Sequence, residues 1–342
     1  MNIDVNLLMR LMDTLGPSGR EQEVRLIIMK EIKKYVDTME VDKFGNLICH
    51  KKGNGPKVML SAHMDEVGLM VNEIKGNGRI KFSAIGGIKP VSLVGQACDI
   101  LTRHGVVKGV ITFKELHEDI DPKEAPILEN LYVDTGLFKN DLEKLGVEIG
   151  NYIVPVHYTR FLGSRNIISG KALDNRVGCF VLIELAKLMQ KTKQNIYYTF
   201  TVQEEIGLYG AQTSVYNIDP DWAVAVEVTN CPDSEESPQV KLGWGPVITI
   251  KDAEIIANKC LNDHFVEVAR KNKIPVQLEV TEAGTTDASK IMLAKGGVPS
   301  TVISTAIRNI HSTISIASLE DIKNSINLLA EGLKNAPKVC IV

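Results

Sequence analysis

The hydrophobic and polar positions of the chain follow two patterns, and the first predicts helices that alternate with strands. Helical spacing of apolar residues near the N-terminus predicts helices in NLLMRLMDTLG, which Gly16-Pro17 ends, and in REQEVRLIIMKEIKKY. Further helices are predicted in DNRVGCFVLIELAKLMQK, DHFVEVARKNK and SLEDIKNSINLLAEGLKNA, the last with a capping-box-like start at Ser318. Buried strands are predicted in PKVMLSAHMD, IYYTFTVQ, WAVAVEV and VPSTVIST. This alternation indicates an α/β domain.

The second pattern lies between about Gly68 and Leu162. Short segments of alternating hydrophobicity, such as GRIKFSAIGG, SLVGQACDILTR and GVVKGVITF, are separated by glycines, and long helical patterns are few. Such a pattern is typical of a small β-barrel or sandwich. We therefore expect a discontinuous α/β domain of residues 1–67 and 163–342, into which a β-barrel-like domain of residues 68–162 is inserted.

The composition narrows the class of protein and its partners. The formal net charge of −3 gives no electrostatic reason to expect nucleic acid or an anionic membrane surface as a partner. No apolar run approaches the roughly 18 residues of a membrane span, and the N-terminus lacks the apolar core of a signal peptide. The six cysteines are scattered without a CxxC pair, which favours reduced thiols in a cytoplasmic protein.

Two adjacent carboxylates end one of the predicted strands. Glu204 and Glu205 follow IYYTFTVQ, where two like charges are costly if both are buried without a partner. Sites in open α/β sheets collect beyond the carboxyl ends of the strands, and five segments place metal-type ligands there. These segments supply His63 and Asp65, Asp174, Glu204 and Glu205, Glu227, and His311. Imidazoles with carboxylates suit zinc, cobalt or manganese, and two divalent cations would neutralise this many acids.

Each of these residues alone has an ordinary structural explanation. His63 could be a hydrogen-bonded core histidine, Asp174 a helix N-cap, and the glutamate pair a solvated turn. The distribution favours a site, because all five segments lie where predicted strands end or helices begin, outside the inserted part. Residues spaced i, i+2 on a strand share a face, so Asp65 can accept the outer ring N–H of His63. The remaining histidines have no such context and are interpreted as structural: His50, His104, His117, His157 and His264.

Six motifs occur in an order and at a spacing that point to one family. They are AHMDEVG, KALDNR, QEEIGLYGA, GTTDA, GGVPSTVIS and RNIHS. The chain resembles the tetrahedral aminopeptidases, family forty-two of the metallopeptidases, which includes glutamyl aminopeptidase and proteins labelled "cellulase M". The similarity covers nearly the whole chain. It implies a phosphorylase/hydrolase-like α/β domain with a dinuclear metal site, and a small inserted domain used in assembly or substrate access. It also implies short peptides as substrates and a homo-oligomer, often a dodecamer.

The resemblance assigns metal ligands residue by residue. Asp174 would bridge two divalent metal ions, for which zinc is the first expectation and cobalt or manganese the alternatives. The other ligands would be His63 and Glu227 at one ion, and Glu205 and His311 at the other. The peptide bond between Asp174 and Asn175 would be cis, as in relatives.

The resemblance also assigns the catalytic pair, with Glu204 as general base and Asp65 as the partner that supports His63. Two metal ions would lower the pKa of a shared water and polarise the scissile carbonyl group. Glu204 would take the proton of that water and return it to the leaving amine. The strand would then end in two glutamates because Glu205 binds metal and Glu204 transfers the proton.

The chain departs from the family pattern at three positions. Glu227 stands where the family usually has Asp, and in related two-metal exopeptidases Glu at this position tends to accompany carboxypeptidases. Thr285 replaces the second glycine of the usual Gly-Gly-Thr-Asp, and Asn309 replaces an aromatic residue. Both of these changes lie near the expected substrate position, so the specificity of the enzyme is open.

The leading hypothesis is a metal-dependent aminopeptidase that removes N-terminal residues from short peptides, and three alternatives accompany it. A carboxypeptidase or an N-acyl amino acid deacylase could use the same scaffold. A glucanase, as the label "cellulase M" suggests, needs two carboxylates flanking a sugar bond and has no use for His63 and His311 as ligands. A non-catalytic metal-binding assembly subunit would have no need of Glu204.

Overall fold

The computed structural model describes residues 2–113, 126–156, 158–234, 238–335 and 337. The helices are α1 (Val5–Asp13), α2 (Gln22–Ile32), α3 (Lys139–Lys144), α4 (Leu173–Leu188), α5 (Tyr209–Ile218), α6 (Lys259–Asn272), α7 (Ala288–Ile291) and α8 (Leu319–Gly332). The strands are β1 (Thr38–Val41), β2 (Leu47–Lys51), β3 (Lys57–His63), β4 (Gly68–Ile74), β5 (Ile80–Ile85), β6 (Ala97–Thr102), β7 (Gly105–Thr112), β8 (Tyr132–Asp134), β9 (Tyr152–Pro155), β10 (Arg160–Leu162), β11 (Ser164–Gly170), β12 (Asn195–Thr201), β13 (Trp222–Asn230), β14 (Val247–Lys251), β15 (Gln277–Val280), β16 (Ser300–Arg308) and β17 (Ser315–Ser318).

An 11-stranded mixed sheet forms the larger part of the fold. Its strands run in the order β1-β2-β12-β3-β13-β16-β17-β11-β10, with β14 beside β16 and β15 beside β14. The four central strands β12, β3, β13 and β16 are parallel to one another. Nearly all of their residues are buried because parallel strands of this kind are covered on both faces, and β12 and β16 bury several Ser and Thr side chains among the apolar ones. The carboxyl ends of these strands therefore meet at one edge of the sheet.

Helices cover both faces of the central strands. Side chains of successive strand residues point to opposite faces, so neighbours in one strand enter different cores. Leu60 and Val224 belong to the main core, in which α1, α2, α4, α6 and α8 pack on the first face. Met59 and Ala223, one position earlier, pack against α5 and α7 on the second face. This layered arrangement confirms the predicted α/β class.

Strands β4 to β9 close into a separate barrel in the order β4-β5-β8-β7-β6-β9. The barrel has its own hydrophobic core, which includes Leu69, Phe82 and Ile100. A small closed β-barrel is therefore present in the part of the chain where the alternating segments predicted one. The following strand, β10, pairs with β11 in the large sheet. The division into domains at residues 67/68 and 162/163 stays a prediction.

The predicted helices are present, and α4 has an irregular first turn. Asp174 and Asn175 have non-helical backbone angles inside α4 and are joined by a cis peptide bond, as the resemblance implied. The side chain of Ser318 accepts a hydrogen bond from the backbone N–H of Asp321 at the start of α8, which confirms the predicted cap.

The cysteines require one correction. Four of those in the described residues are free and buried: Cys49, Cys98, Cys179 and Cys231. Cys260 is disulfide-bonded, so the prediction of six reduced thiols is wrong for this residue. Spacing along the chain could not reveal this bond, because pairing depends on which Cβ atoms the fold brings together. Cys340, His117 and His157 lie outside the described residues. Across the described part of the chain, no helix is long and apolar enough to cross a membrane.

Candidate metal centre

The predicted site residues converge where the parallel strands β3 and β12 end, beside Glu227, which was expected at the end of a strand but lies within β13, three residues before its last residue. His63 is the last residue of β3 and lies in register with Thr201, the last residue of β12. The other residues come from neighbouring segments: Glu204 and Glu205 from the turn between β12 and α5, Glu227 from β13, Asp174 from the first turn of α4, and His311 from the turn between β16 and β17. The edge of the sheet therefore collects side chains that are far apart in the sequence.

The carboxylate of Asp174 lies between two histidines. Its Oδ1 is 3.0 Å from Nε2 of His63, and its Oδ2 is 3.2 Å from Nε2 of His311. The ligand atoms of His63, Asp174 and Glu205 all lie within 4.8 Å of one another. A carboxylate with its two oxygens directed at two different imidazoles is arranged as a bridging ligand would be.

Each histidine has a glutamate of its own. Oε2 of Glu227 lies 3.7 Å from Nε2 of His63, and Oε2 of Glu205 lies 3.4 Å from Nε2 of His311. The Oε1 atoms of both glutamates are buried and have no hydrogen-bond partner within the described residues. Oε2 of Glu204 lies 3.9 Å from Nε2 of His63, beside the same group of ligands.

Asn175 fixes the orientation of Glu227. Its Nδ2 donates to Oε2 of Glu227 at 2.7 Å and to the carbonyl oxygen of Val226 at 2.9 Å. Its Oδ1 accepts a hydrogen bond from the backbone N–H of Gly178 at 2.9 Å. The first turn of α4 thus supplies both the central carboxylate and the group that holds one of the glutamates.

Asp65 ties the end of β3 to the turn that carries the glutamate pair. Its two carboxylate oxygens accept hydrogen bonds from the backbone N–H groups of Glu204 (3.1 Å) and Glu205 (3.2 Å). The hydroxyl of Ser18 donates to the same carboxylate at 2.6 Å. Nδ1 of His63 lies 3.2 Å from the carbonyl oxygen of Asp65 and 3.5 Å from its Oδ1. Asp65 thus lies just beyond the end of β3, with its carbonyl oxygen closer to the histidine ring than its carboxylate, and its carboxylate orders the neighbouring backbone.

Burial shifts the pKa values of the three glutamates upward. It raises the pKa of Glu204 and of Glu227 well above the usual carboxyl range, and nearby carboxylates raise both further while His63 opposes. Burial also raises the pKa of Glu205 to about 8, with a contribution from the charge of Asp174. Buried acids that resist ionisation in this way are unfavourable as anions unless cations accompany them.

At the two imidazoles and the central carboxylate, the neighbouring charged groups outweigh the effect of burial on the pKa. Burial opposes protonation of His63, but Glu204 and Asp174 outweigh it and raise the His63 pKa. The same balance, here between burial and the carboxylates of Asp174 and Glu205, raises the pKa of His311 to about 8. Burial disfavours the ionised form of Asp174, yet hydrogen bonds to His311 and His63 hold its pKa below the usual range.

These observations fit a group of divalent cations. Two imidazoles and three carboxylates form a donor set of the kind that zinc, cobalt and manganese prefer. The unpaired buried oxygens of Glu205 and Glu227 need a cation or a proton to offset the cost of burying them. The residues His63, Asp174, Glu205, Glu227 and His311 are therefore able to hold such ions.

The sequence analysis quoted the motif GTTDA but gave no role to its aspartate, Asp287. This side chain is fully buried, and its Oδ2 accepts a hydrogen bond from the hydroxyl of Thr201 at 2.8 Å. Burial raises the pKa of Asp287 to about 6, and its charge adds to the field at Glu204 and Glu227. A lone Asp before a short helix resembles an N-cap, so only the adjacent strand ends reveal that it lies beneath the site.

The barrel also reaches the site through two glycines that the sequence analysis treated only as punctuation. A Cβ atom at Gly87 would lie 2.8 Å from Nδ1 of His311, and one at Gly86 would lie 3.0 Å from Cβ of Glu205. The backbone N–H of Lys89 donates to the carbonyl oxygen of His311 at 3.3 Å. The turn after β5 therefore packs directly on two of the candidate ligands.

Histidines and carboxylates converge at the carboxyl edge of the parallel strands, with a further glutamate beside them. This arrangement is that of a metallo-exopeptidase, a class of hydrolase. The chain belongs to the M42 glutamyl aminopeptidase family, whose model matches residues 45–328. The aminopeptidase activity of that family is the function to which the comparisons point, and the resemblance drawn from the six motifs is confirmed.

Individual relatives are similar over nearly their whole length. A putative aminopeptidase of Acetivibrio thermocellus is 41% identical over 96% of this chain and 98% of the relative. The structure of an aminopeptidase from the archaeon Desulfurococcus kamchatkensis superimposes with a TM-score of 0.93, at 36% identity over 97% of this chain and 95% of that one. The TET1 peptidase of Pyrococcus horikoshii, which assembles into a tetrahedron or a large octahedral shell, gives a TM-score of 0.87 at 30% identity over 97% and 99%.

Proposed function

We propose that this chain is a metal-dependent aminopeptidase that removes N-terminal residues from short peptides and uses two divalent metal ions, zinc before cobalt or manganese. One observation carries the proposal: the two oxygens of Asp174 face two histidines, each of which has a glutamate of its own. Asp174 is the proposed bridging ligand. The proposed ligands of the individual ions are His63 and Glu227 for one, and Glu205 and His311 for the other.

The ions would supply a water of lowered pKa and would polarise the carbonyl group of the scissile peptide bond. The protein's own groups set the conditions for this chemistry. Asp65 supports His63 and holds the backbone of Glu204 and Glu205, and Asn175 holds Glu227. These contacts fix the ligand side chains before the substrate arrives, so little reorganisation is needed during the reaction.

Glu204 is the proposed general base. Its Oε2 lies beside the ligand group, 3.9 Å from Nε2 of His63. Burial raises its pKa, which brings a carboxylate closer to the basicity suited to taking a proton from water near neutral pH. The proton would pass from the attacking water to a Glu204 oxygen and then to the nitrogen of the departing peptide.

The test is hydrolysis of a mixed peptide library by zinc-, cobalt- or manganese-loaded protein, with free and N-acetylated termini compared by mass spectrometry. Loss of single N-terminal residues, confined to the free library, is the expected result. Trimming from the C-terminus, or activity on acetylated peptides alone, would instead indicate a carboxypeptidase or a deacylase. Hydrolysis of glucans would indicate a glucanase.

Glu204→Gln separates catalysis from metal binding. This variant should lose at least about a hundredfold in kcat because the base is gone, while its metal content stays that of the wild type. Glu205→Gln is the matched comparison, because it should lose metal as well as activity. A wild-type protein that is inactive with all three metals would support a non-catalytic metal-binding subunit.

We further propose that the chain forms a homo-oligomer, with a dodecamer as the first expectation, and that the barrel contributes to the assembly. The support is the similarity to the Pyrococcus horikoshii peptidase, whose assembly is tetrahedral or octahedral. Analytical ultracentrifugation of the full chain tests the proposal. A mass near twelve chains is the expected result, and a monomer at micromolar concentration would contradict it.

A further inference from the structure

The turn that carries the proposed base is held through three consecutive backbone amides. The N–H of Gln203 donates to Oε1 of Glu21 at 3.2 Å. The next two N–H groups, of Glu204 and Glu205, donate to the two oxygens of Asp65 at 3.1 and 3.2 Å. Two buried carboxylates from different parts of the chain thus bind one short stretch of backbone.

The backbone at this stretch needs such support. Gln203 has a φ of 55°, in the left-handed region that residues other than glycine seldom adopt. The next two residues bear the proposed base and a proposed metal ligand. A change in the backbone at Gln203 would therefore redirect the side chain of Glu204, and the hydrogen bond from Gln203 to Glu21 opposes that change.

The position of Glu21 makes its contact with Gln203 informative. Glu21 is the residue immediately before α2, the position from which a side-chain oxygen can accept a hydrogen bond from the first turn of the helix. No such bond is formed within the described residues, although the side chain is almost completely buried. Its Oε1 instead accepts from the N–H of Gly19 at 2.7 Å and from that of Gln203. The Glu21 carboxylate therefore binds the backbone of the turn beside the site and not that of its own helix.

The same segment also connects to Asp65 and to the barrel. The hydroxyl of Ser18 donates to the carboxylate of Asp65 at 2.6 Å. The backbone carbonyl oxygen of Ser18 accepts a hydrogen bond from the hydroxyl of Tyr152, in β9, at 3.2 Å. A Cβ atom at Gly19 would lie 2.9 Å from that tyrosine oxygen. Residues 18–21 therefore pack between the barrel and the turn that carries the base.

We propose that Glu21 is a positioning residue of this enzyme, which fixes the left-handed backbone of Gln203 and thereby aims the Glu204 carboxylate at the substrate. The proposal rests on the proposed function, in which Glu204 is the general base. Glu21 itself touches neither the ligand group nor the substrate in this account. It acts only through the backbone that it holds.

The experiment compares three variants of the full, metal-loaded chain. In Glu21→Ala the acceptor is removed, and kcat should fall ten- to a hundredfold while KM stays within threefold, because a small misplacement of a catalytic group costs rate rather than binding. Glu21→Gln keeps an oxygen acceptor and should retain kcat within threefold. Glu23→Ala is the matched control, because Glu23 lies two residues further on and is exposed. Its kcat should equal that of the wild type.

Hydrogen exchange measured by mass spectrometry gives a readout that does not depend on activity. Peptides that cover residues 198–208 should exchange faster in Glu21→Ala, and at the wild-type rate in Glu21→Gln and Glu23→Ala. Metal content should be unchanged in all three. If Glu21→Ala does not fold, Glu21→Asp replaces it, because the shorter side chain keeps the charge but withdraws the acceptor from Gln203.

Several results would overturn the proposal. They are a kcat of Glu21→Ala within twofold of the wild type, an equal loss in Glu21→Gln, or unchanged exchange over residues 198–208. An inactive wild type would overturn the proposed function instead, and in that case the exchange experiment still decides whether Glu21 holds the turn.

Discussion

Gly87→Ala should weaken metal binding at one side of the centre. The added Cβ would lie 2.8 Å from Nδ1 of His311, whereas ordinary contacts of a Cβ atom begin at 3.4 Å. The ring, or the turn that carries Gly87, must therefore move by about 0.6 Å. Metal–ligand distances tolerate deviations of only about 0.2 Å. The φ of Gly87 lies outside the left-handed region, so alanine there acts through steric contact alone.

The expected loss is about 10- to 100-fold in affinity for the ion proposed to bind Glu205 and His311, as for substitutions that disturb the support of a metal ligand. The ion proposed to bind His63 and Glu227 should be affected much less, because the three atoms nearest to the added Cβ all belong to His311. Calorimetric titration of metal-free protein with zinc should therefore show one weakened step rather than two. Peptidase activity should recover as the metal concentration is raised.

Gly76→Ala is the matched control. Gly76 lies in the turn between β4 and β5, and a Cβ atom there would meet no atom of the described residues within 4 Å, its chain neighbours aside. Its titration should match that of the wild type. If Gly87→Ala binds both ions within threefold of Gly76→Ala, the barrel turn yields freely and does not position His311. The reasoning from the close approach would then be refuted.

Three further predictions concern charge and support at the centre. Asp287→Asn should stabilise the metal-free protein at pH 8, with the gain shrinking as the pH falls through about 6. Burial raises the pKa of Asp287 to about 6 in the folded protein, whereas in the unfolded chain it is near 4. The buried carboxylate therefore destabilises the folded protein above about pH 6, and this cost disappears as the side chain is protonated at lower pH. A difference in denaturation midpoint between variant and wild type that is the same at pH 8 and pH 5 would contradict this. Removal of metal by a chelator should lower the unfolding temperature at pH 8, and added zinc should restore that temperature. Without cations the centre holds buried acids that resist ionisation, such as Glu205, whose pKa is raised to about 8. An unfolding temperature indifferent to metal would count against the proposed centre. Asn175→Ala should reduce zinc affinity by about tenfold, because it removes the 2.7 Å hydrogen bond that orients Glu227, and an unchanged calorimetric titration would refute this role.

Much of the fold followed from the spacing of apolar residues. The strands β3 and β13 could be predicted because they are nearly continuous apolar runs, and β12 and β16 because β-branched and aromatic residues predominate in them. The barrel followed from short alternating segments and glycines. The disulfide at Cys260 could not be predicted, because it depends on a distance between residues that the sequence does not contain.

The site residues could be chosen from the sequence because carboxylates and histidines at the ends of apolar strands are costly without a purpose. His63, Glu204 and Glu205 stood out in this way. Asp287 and Glu21 did not, because each precedes a helix and looks like an ordinary cap. Only the folded chain reveals that one lies beneath the site and that the other accepts a hydrogen bond from the backbone beside the proposed base.

The sequence by itself determined which segments become strands and helices, and which polar side chains lie at the strand ends, since both depend on local pattern. The tertiary structure alone decided the distances: the two oxygens of Asp174 facing two histidines, and Gly87 lying against His311. These contacts join residues from separate elements. Their geometry depends on how the sheet, α4 and the barrel pack together, and local propensity carries no information about that packing.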